Sequence, residues 1–143
     1  MGVETLMYLC MSILSTEAMP VEKMYSRAIN CTHLAELSVD YGHDPLMVIA
    51  IAHTESRFNK DAVSKAGARG MLQVIPKYFC PKSGLCDYTR AGLEAWGRWK
   101  SRYRNLRDSL CGYNSGRRCK KNHRSSGYAN LVLRKYRHLK SIN

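Results

Sequence analysis

Apolar residues recur along this chain at helical spacing, and no segment alternates apolar and polar positions convincingly enough to predict a strand. The apolar run Leu6 to Leu14 predicts an N-terminal helix packed on the rest of the molecule; Met19-Pro20 then breaks it. From Val21 to Tyr41, the residues Met24, Ala28, Cys31, Leu34, Ala35 and Leu37 form one apolar stripe with polar positions between them, and Gly42 ends that helix. Asp44 followed by Pro45 reads as an N-cap with proline at the first helical position. It opens Leu46-Met47-Val48-Ile49-Ala50-Ile51-Ala52, a run apolar on every side, which predicts a central, buried helix.

Beyond that helix Ser64, Gly67 and Gly70 mark a turn-rich segment, and Met71 to Ile75 is a short apolar piece halted by Pro76. The spacing predicts a loop from Pro76 to Asp87, a helix over Leu93 to Leu106 with one packed and one basic face, and a second loop from Cys111 to Ser126. A last helix from Tyr128 to Leu139 turns Leu131, Val132 and Tyr136 inward. The expected architecture is all-α with minimal strand, in one domain over residues 1–143, with 1–20 packed on it as an N-terminal helix.

Composition narrows the class. With 45% hydrophobic and 24% charged residues the chain is that of a folded globular protein, not a disordered one. Leu6 to Leu14 is far shorter than the roughly 18–20 apolar residues a membrane span requires. Its length matches the apolar part of a signal peptide, but no Lys or Arg precedes it. The net charge of +12 is unevenly placed. Residues 1–60 hold four Lys/Arg against seven Asp/Glu, and residues 61–143 hold nineteen against four. The second part, with the basic stretch Arg117 to Arg124, therefore attracts polyanions, a class that includes nucleic acid, anionic lipid and acidic envelope polymers.

Six cysteines allow fifteen pairings. Their spacing suggests Cys80 with Cys86, Cys111 with Cys119 and, by elimination, Cys10 with Cys31. Zinc ligation fits poorly, because the gaps exceed the tight spacing of a zinc knuckle; reduced cysteines in a cytosolic protein are the other alternative. If the bonds form, the protein works in an oxidising compartment.

The candidate chemistry centres on Glu55, a carboxylate three residues beyond the apolar run. Burial there would raise its pKa and give an acid that still holds a proton near neutrality. A glutamate at a frayed, solvated helix end is the plainer alternative. The surrounding segment decides between them: Glu55-Ser56-Arg57-Phe58-Asn59, then Ala62-Val63-Ser64, then Gly67-Ala68-Arg69-Gly70-Met71-Leu72-Gln73, closing near Pro76, with Tyr113-Asn114-Ser115-Gly116 some forty residues later. These ordered motifs resemble those of the soluble lytic transglycosylases, relatives of goose-type lysozyme. The likeness is strong from about Ala50 to Pro76 and weaker from Asp87 to Gly116.

The resemblance implies a compact lysozyme-like helical domain that cleaves peptidoglycan between N-acetylmuramic acid and N-acetylglucosamine and leaves a 1,6-anhydro end, with neither metal nor cofactor. It implies Glu55 as catalytic acid and base, Ser64 and Gln73 lining the saccharide groove, and Tyr113 beside Glu55. Asn114 would shape the Tyr113 loop, and Tyr128 would lie at the groove or else be a core tyrosine. Gly112 stands where the family commonly has alanine, read here as a small-for-small exchange. Cys111 and Cys119 flank the motif and, if paired, would hold Tyr113 in place. A hydrolytic lysozyme would need a second carboxylate, for which Asp61 and Asp87 are weak candidates; a catalytically silent basic protein on the same fold is the third reading. Peptidoglycan is the expected partner, with anionic envelope polymers or a membrane surface on the basic half, no nucleic acid, and a monomeric, extracytoplasmic protein. Phage lysis and the wall-opening step of a secretion apparatus fit equally.

Overall fold

The structure is a computed structural model, and it describes residues 1–82, 84–121 and 123–143, with the side chains of 118, 120, 121 and 123–125 excepted. Those residues form α1 (Val3–Leu14), α2 (Val21–Asp40), α3 (Pro45–Ser56), α4 (Pro76–Phe79), α5 (Tyr88–Arg102), α6 (Leu106–Ser115), a 3₁₀ turn (Gly116–Lys121) and α7 (His123–Ile142). No strand occurs among the described residues; two isolated antiparallel bridges, Val63 with Arg69 and Arg69 with Val74, are the only extended pairing there. The architecture is the all-α one expected.

α3 begins where the Asp44-Pro45 signal puts it, with the Asp44 carboxylate accepting from the Leu46 N–H at 3.0 Å. Every residue from Leu46 to His53 is buried. α2 packs on one side of α3 and α7 on another, α1 packs on α2, and α6 joins α5 to α7. One apolar core runs through these layers, from Leu6, Leu9 and Leu14 through Ile49 and Ile51 to Trp96, Leu110, Val132 and Leu139. Each fully buried large side chain contributes roughly 1.5–3 kcal/mol. A disulfide between Cys10 and Cys31 ties α1 to α2, with Cα atoms 5.9 Å apart, and closing a loop of that size stabilises by roughly 3 kcal/mol. Cys80 and Cys86 form a second bond across the segment after α4. Both pairs are those the spacing suggested; Cys111 and Cys119 are both buried.

The structure corrects several boundaries. Pro76 ends the Met71 to Ile75 piece and also opens α4 within the expected loop, at a position where its missing N–H removes nothing. α5 starts five residues before Leu93, because the Asp87 side chain accepts from the Arg90 N–H and caps it, and it stops at Arg102, where Tyr103 turns extended. The expected loop from Cys111 is helical instead: Asn105 caps α6 by accepting from the Asp108 N–H at 2.8 Å, so the Tyr-Asn motif sits on a helix. α7 begins ahead of Tyr128, which places that residue in the helix interior. Leu131, expected to face inward, is exposed, whereas Val132 is fully buried. Most side chains of the basic stretch 117–124 lie outside the described residues.

Candidate active site at the end of the central helix

α3 ends abruptly after Glu55 because Arg57 and Phe58 both take left-handed backbone, φ 52° and 61°. Non-glycine residues hold that conformation only when their surroundings over-determine it, at a cost of about 1–3 kcal/mol each. Three contacts do so here. Phe58 is fully buried, Arg27 Nη1 donates to the Arg57 carbonyl at 3.0 Å, and Asn30 Nδ2 donates to the Phe58 carbonyl at 3.0 Å. The chain is thereby turned into the 62–74 loop. Ser56 Oγ donates to the Met71 carbonyl at 2.7 Å and docks that loop on the helix end.

The loop is built by the residues that the sequence assigns to a groove. Ser64 Oγ accepts from the Ala68 N–H at 3.0 Å. Gln73, itself at φ 52°, donates through Nε2 to the carbonyls of Ala62 at 3.1 Å and Gly70 at 2.9 Å. Gly67 and Gly70 take φ of 86° and 83°, the freedom expected of them. At Gly70 a side chain would also collide with Tyr88.

Glu55 is half-buried. Its Oε2 accepts from the Tyr128 hydroxyl at 2.9 Å. Burial pushes its pKa up from 4.5 to about 7, and the Tyr128 hydrogen bond pulls the other way. Tyr113 is near enough for the Glu55 charge to act on it, yet its hydroxyl donates to the Leu72 carbonyl. Burial first, and the Glu55 charge second, push both phenols well above their ordinary range, so both remain neutral donors. The Tyr113 ring meets Trp96 edge-on, centroids 6.1 Å apart.

Five elements thus converge. α3 brings Glu55 and Ser56, the loop brings Leu72, α6 brings Tyr113, α7 brings Tyr128, and α2 fixes the turn. Asn114 is exposed, its Oδ1 accepting from Ser115 Oγ at 3.2 Å. The docking role of Ser56 escaped sequence reasoning, although the residue stands beside Glu55 in the motif. A titratable group at this position can donate a proton at neutral pH and recover one, with no second carboxylate in contact with it among the described residues.

Residues 33–83 match the family model of the transglycosylase SLT domain. No curated protein and no solved structure matches the chain. The matched segment contains α3, its left-handed turn and the 62–74 loop, and it supports assigning the chain to the transglycosylase SLT-domain family.

Proposed function

We propose that this protein is a peptidoglycan lytic transglycosylase acting outside the cytoplasm, with Glu55 as its catalytic acid and base. The observation that carries the reading is the half-buried Glu55 carboxyl, with its pKa near 7 and its Tyr128 hydrogen bond, at the end of the helix inside the SLT match. In the proposed reaction the Glu55 carboxyl protonates the oxygen between N-acetylmuramic acid and N-acetylglucosamine, and the bond from the muramic C1 to that oxygen breaks. The resulting carboxylate draws the proton from the same sugar's 6-hydroxyl, whose oxygen bonds to C1 and closes the 1,6-anhydro ring. No water is consumed, and the carboxyl returns to its starting state. The neutral phenol of Tyr128 orients the carboxyl, and the loop around Gln73 and Ser64 forms one wall of the site.

The two disulfides support an oxidising compartment. Asp87 supports the single-carboxylate route over hydrolysis, because its carboxylate already caps α5 and pairs with Arg90 Nε at 3.3 Å. Asp61 is exposed on the loop.

The test is Glu55→Gln on purified sacculi. The reading expects a folded variant with wall lysis lost, and wild-type products one water lighter than reducing-end products by mass spectrometry. Unchanged lysis in the variant overturns the site; reducing ends from the wild type overturn the transglycosylase step in favour of hydrolysis.

A further inference from the structure

The connection between α1 and α2 meets the end of α3 across a cleft of about 480 Å³. Its lining includes Glu17, Lys23, Arg27, Ser56, Arg57 and Asn59, three cations against one carboxylate. Arg57 is the most constrained of these. Its N–H donates to the His53 carbonyl, its own carbonyl accepts from Arg27, and its Nε lies 2.9 Å from Glu17 Oε1. Backbone and one edge of the guanidinium are therefore fixed. The side chain is still 68% exposed, and its two terminal nitrogens have no partner among the described residues. A guanidinium held by one edge offers the other as a preset fork, and a carboxylate is the group that fits a fork.

Glu17, 18% exposed, offsets one of the three cations through Arg57 Nε, and the neutral His53 Nε2 lies 3.2 Å from the same oxygen. Lys23 and Arg27 keep the cleft cationic. Asn59 commits its Oδ1 to the Asp61 N–H, which leaves the amide nitrogen to donate to a peptide carbonyl. The cleft holds a few amino-acid residues, too small a space for a folded partner and the right polarity for a short acidic peptide.

We propose that this cleft binds a peptide stem of peptidoglycan through a stem carboxylate, with Arg57 as the anchor. The inference rests on reading the chain as a peptidoglycan-directed enzyme. Glu55 meets Tyr128 of α7, and Arg57, two residues on, meets Glu17 of the α1–α2 connection, so the carboxyl and the anchor share one helix end. Glu17, Lys23 and Arg27 precede the matched segment 33–83, and Ser56, Arg57 and Asn59 lie within it.

The test is an NMR titration of the full isotope-labelled chain with a synthetic stem tetrapeptide and with the same peptide amidated at every carboxyl. The free acid is expected to shift the backbone amides of 17–27 and 56–59 saturably at low-millimolar concentration. Amidation or Arg57→Gln is expected to weaken binding about tenfold, the loss of roughly one charge-assisted contact. Lys23→Gln, at an exposed position outside the helix-end contacts, serves as the second variant and should weaken it about threefold. No saturable shift up to about 20 mM, or equal affinity for acid and amide, overturns the proposal, as does wild-type affinity in both variants. Binding requires no turnover, so failure here and failure of the enzymatic reading are separate: sacculi cut by a protein that ignores the peptide sink only the cleft, and peptide bound by a protein that leaves sacculi intact sinks only the activity.

Discussion

Tyr128 donates its hydroxyl to Glu55 Oε2 at 2.9 Å, while Tyr113, the tyrosine of the Tyr-Asn motif, gives its hydroxyl to the Leu72 carbonyl. The two phenols therefore act differently on the same carboxyl. Removing the Tyr128 hydroxyl takes away the interaction that lowers the Glu55 pKa, so in Tyr128→Phe the alkaline limb of the pH–rate profile moves up from about 7. Turnover falls about tenfold as the carboxyl loses its orientation. Tyr113→Phe is expected to leave the limb nearer its place and to lower stability by about 1 kcal/mol, since a buried carbonyl loses its donor. A Tyr128→Phe profile superimposable on the wild type's rules out the orienting role.

Glu55 also links stability to pH. Its folded pKa of about 7 lies above the ordinary 4.5, so the folded state holds a proton that the unfolded chain has released between those values. Stability from this group is complete below pH 4.5 and is lost as pH rises through 7. Glu55→Gln removes the dependence. Thermal melts at pH 5 should nearly coincide, and at pH 8 the variant should melt roughly 2–4 °C higher, a modest figure because the group keeps some solvent exposure and is partly screened. A variant that melts lower at pH 8 than at pH 5 relative to wild type contradicts the sign.

Gly112 carries more weight than a small-for-small exchange suggests. A Cβ there would enter the Trp99 ring and meet Tyr103 at 2.9 Å. Those rings stack on each other with centroids 6.0 Å apart. Gly112→Ala is therefore expected to destabilise by about 1–3 kcal/mol and to displace the adjacent Tyr113. Chemical denaturation checks this, and an unchanged midpoint would mean that the aromatic pair yields freely.

Gln73 offers a clean contrast between building the loop and touching the substrate. Its amide bonds to two loop carbonyls, so Gln73→Ala should lower stability by about 1–2 kcal/mol as well as activity. If melting stays at the wild-type value while KM alone rises, the residue serves the substrate and not the loop.

Arg98, Arg102, Arg104 and Arg107, exposed arginines of the second half, form no ion pair with described residues. Lysis of whole sacculi, an anionic substrate, should then fall as salt rises to about 0.3 M, where screening lengths shrink to several ångströms. A flat response removes electrostatic steering from the account.

Several features were legible in the residues alone. Asp44-Pro45 and the unbroken apolar run marked the central helix, because capping and all-round burial are written in adjacent residues. Glu55, Gly67, Gly70 and Gln73 marked the family segment through their spacing. Helix starts that rest on one capping side chain, Asp87 and Asn105, were missed, since a single polar residue ahead of a weakly periodic stretch resembles any loop. Which tyrosine reaches Glu55, and whether Gln73 turns toward the loop's own backbone, was decided by tertiary packing. The sequence separation of 73 between Glu55 and Tyr128 closes only when α7 lies along α3, and Arg57 acquires its fixed guanidinium only when Glu17 arrives from the α1–α2 connection. Periodicity reports which face of a helix is apolar; which partner that face meets depends on how the remaining helices fill the core.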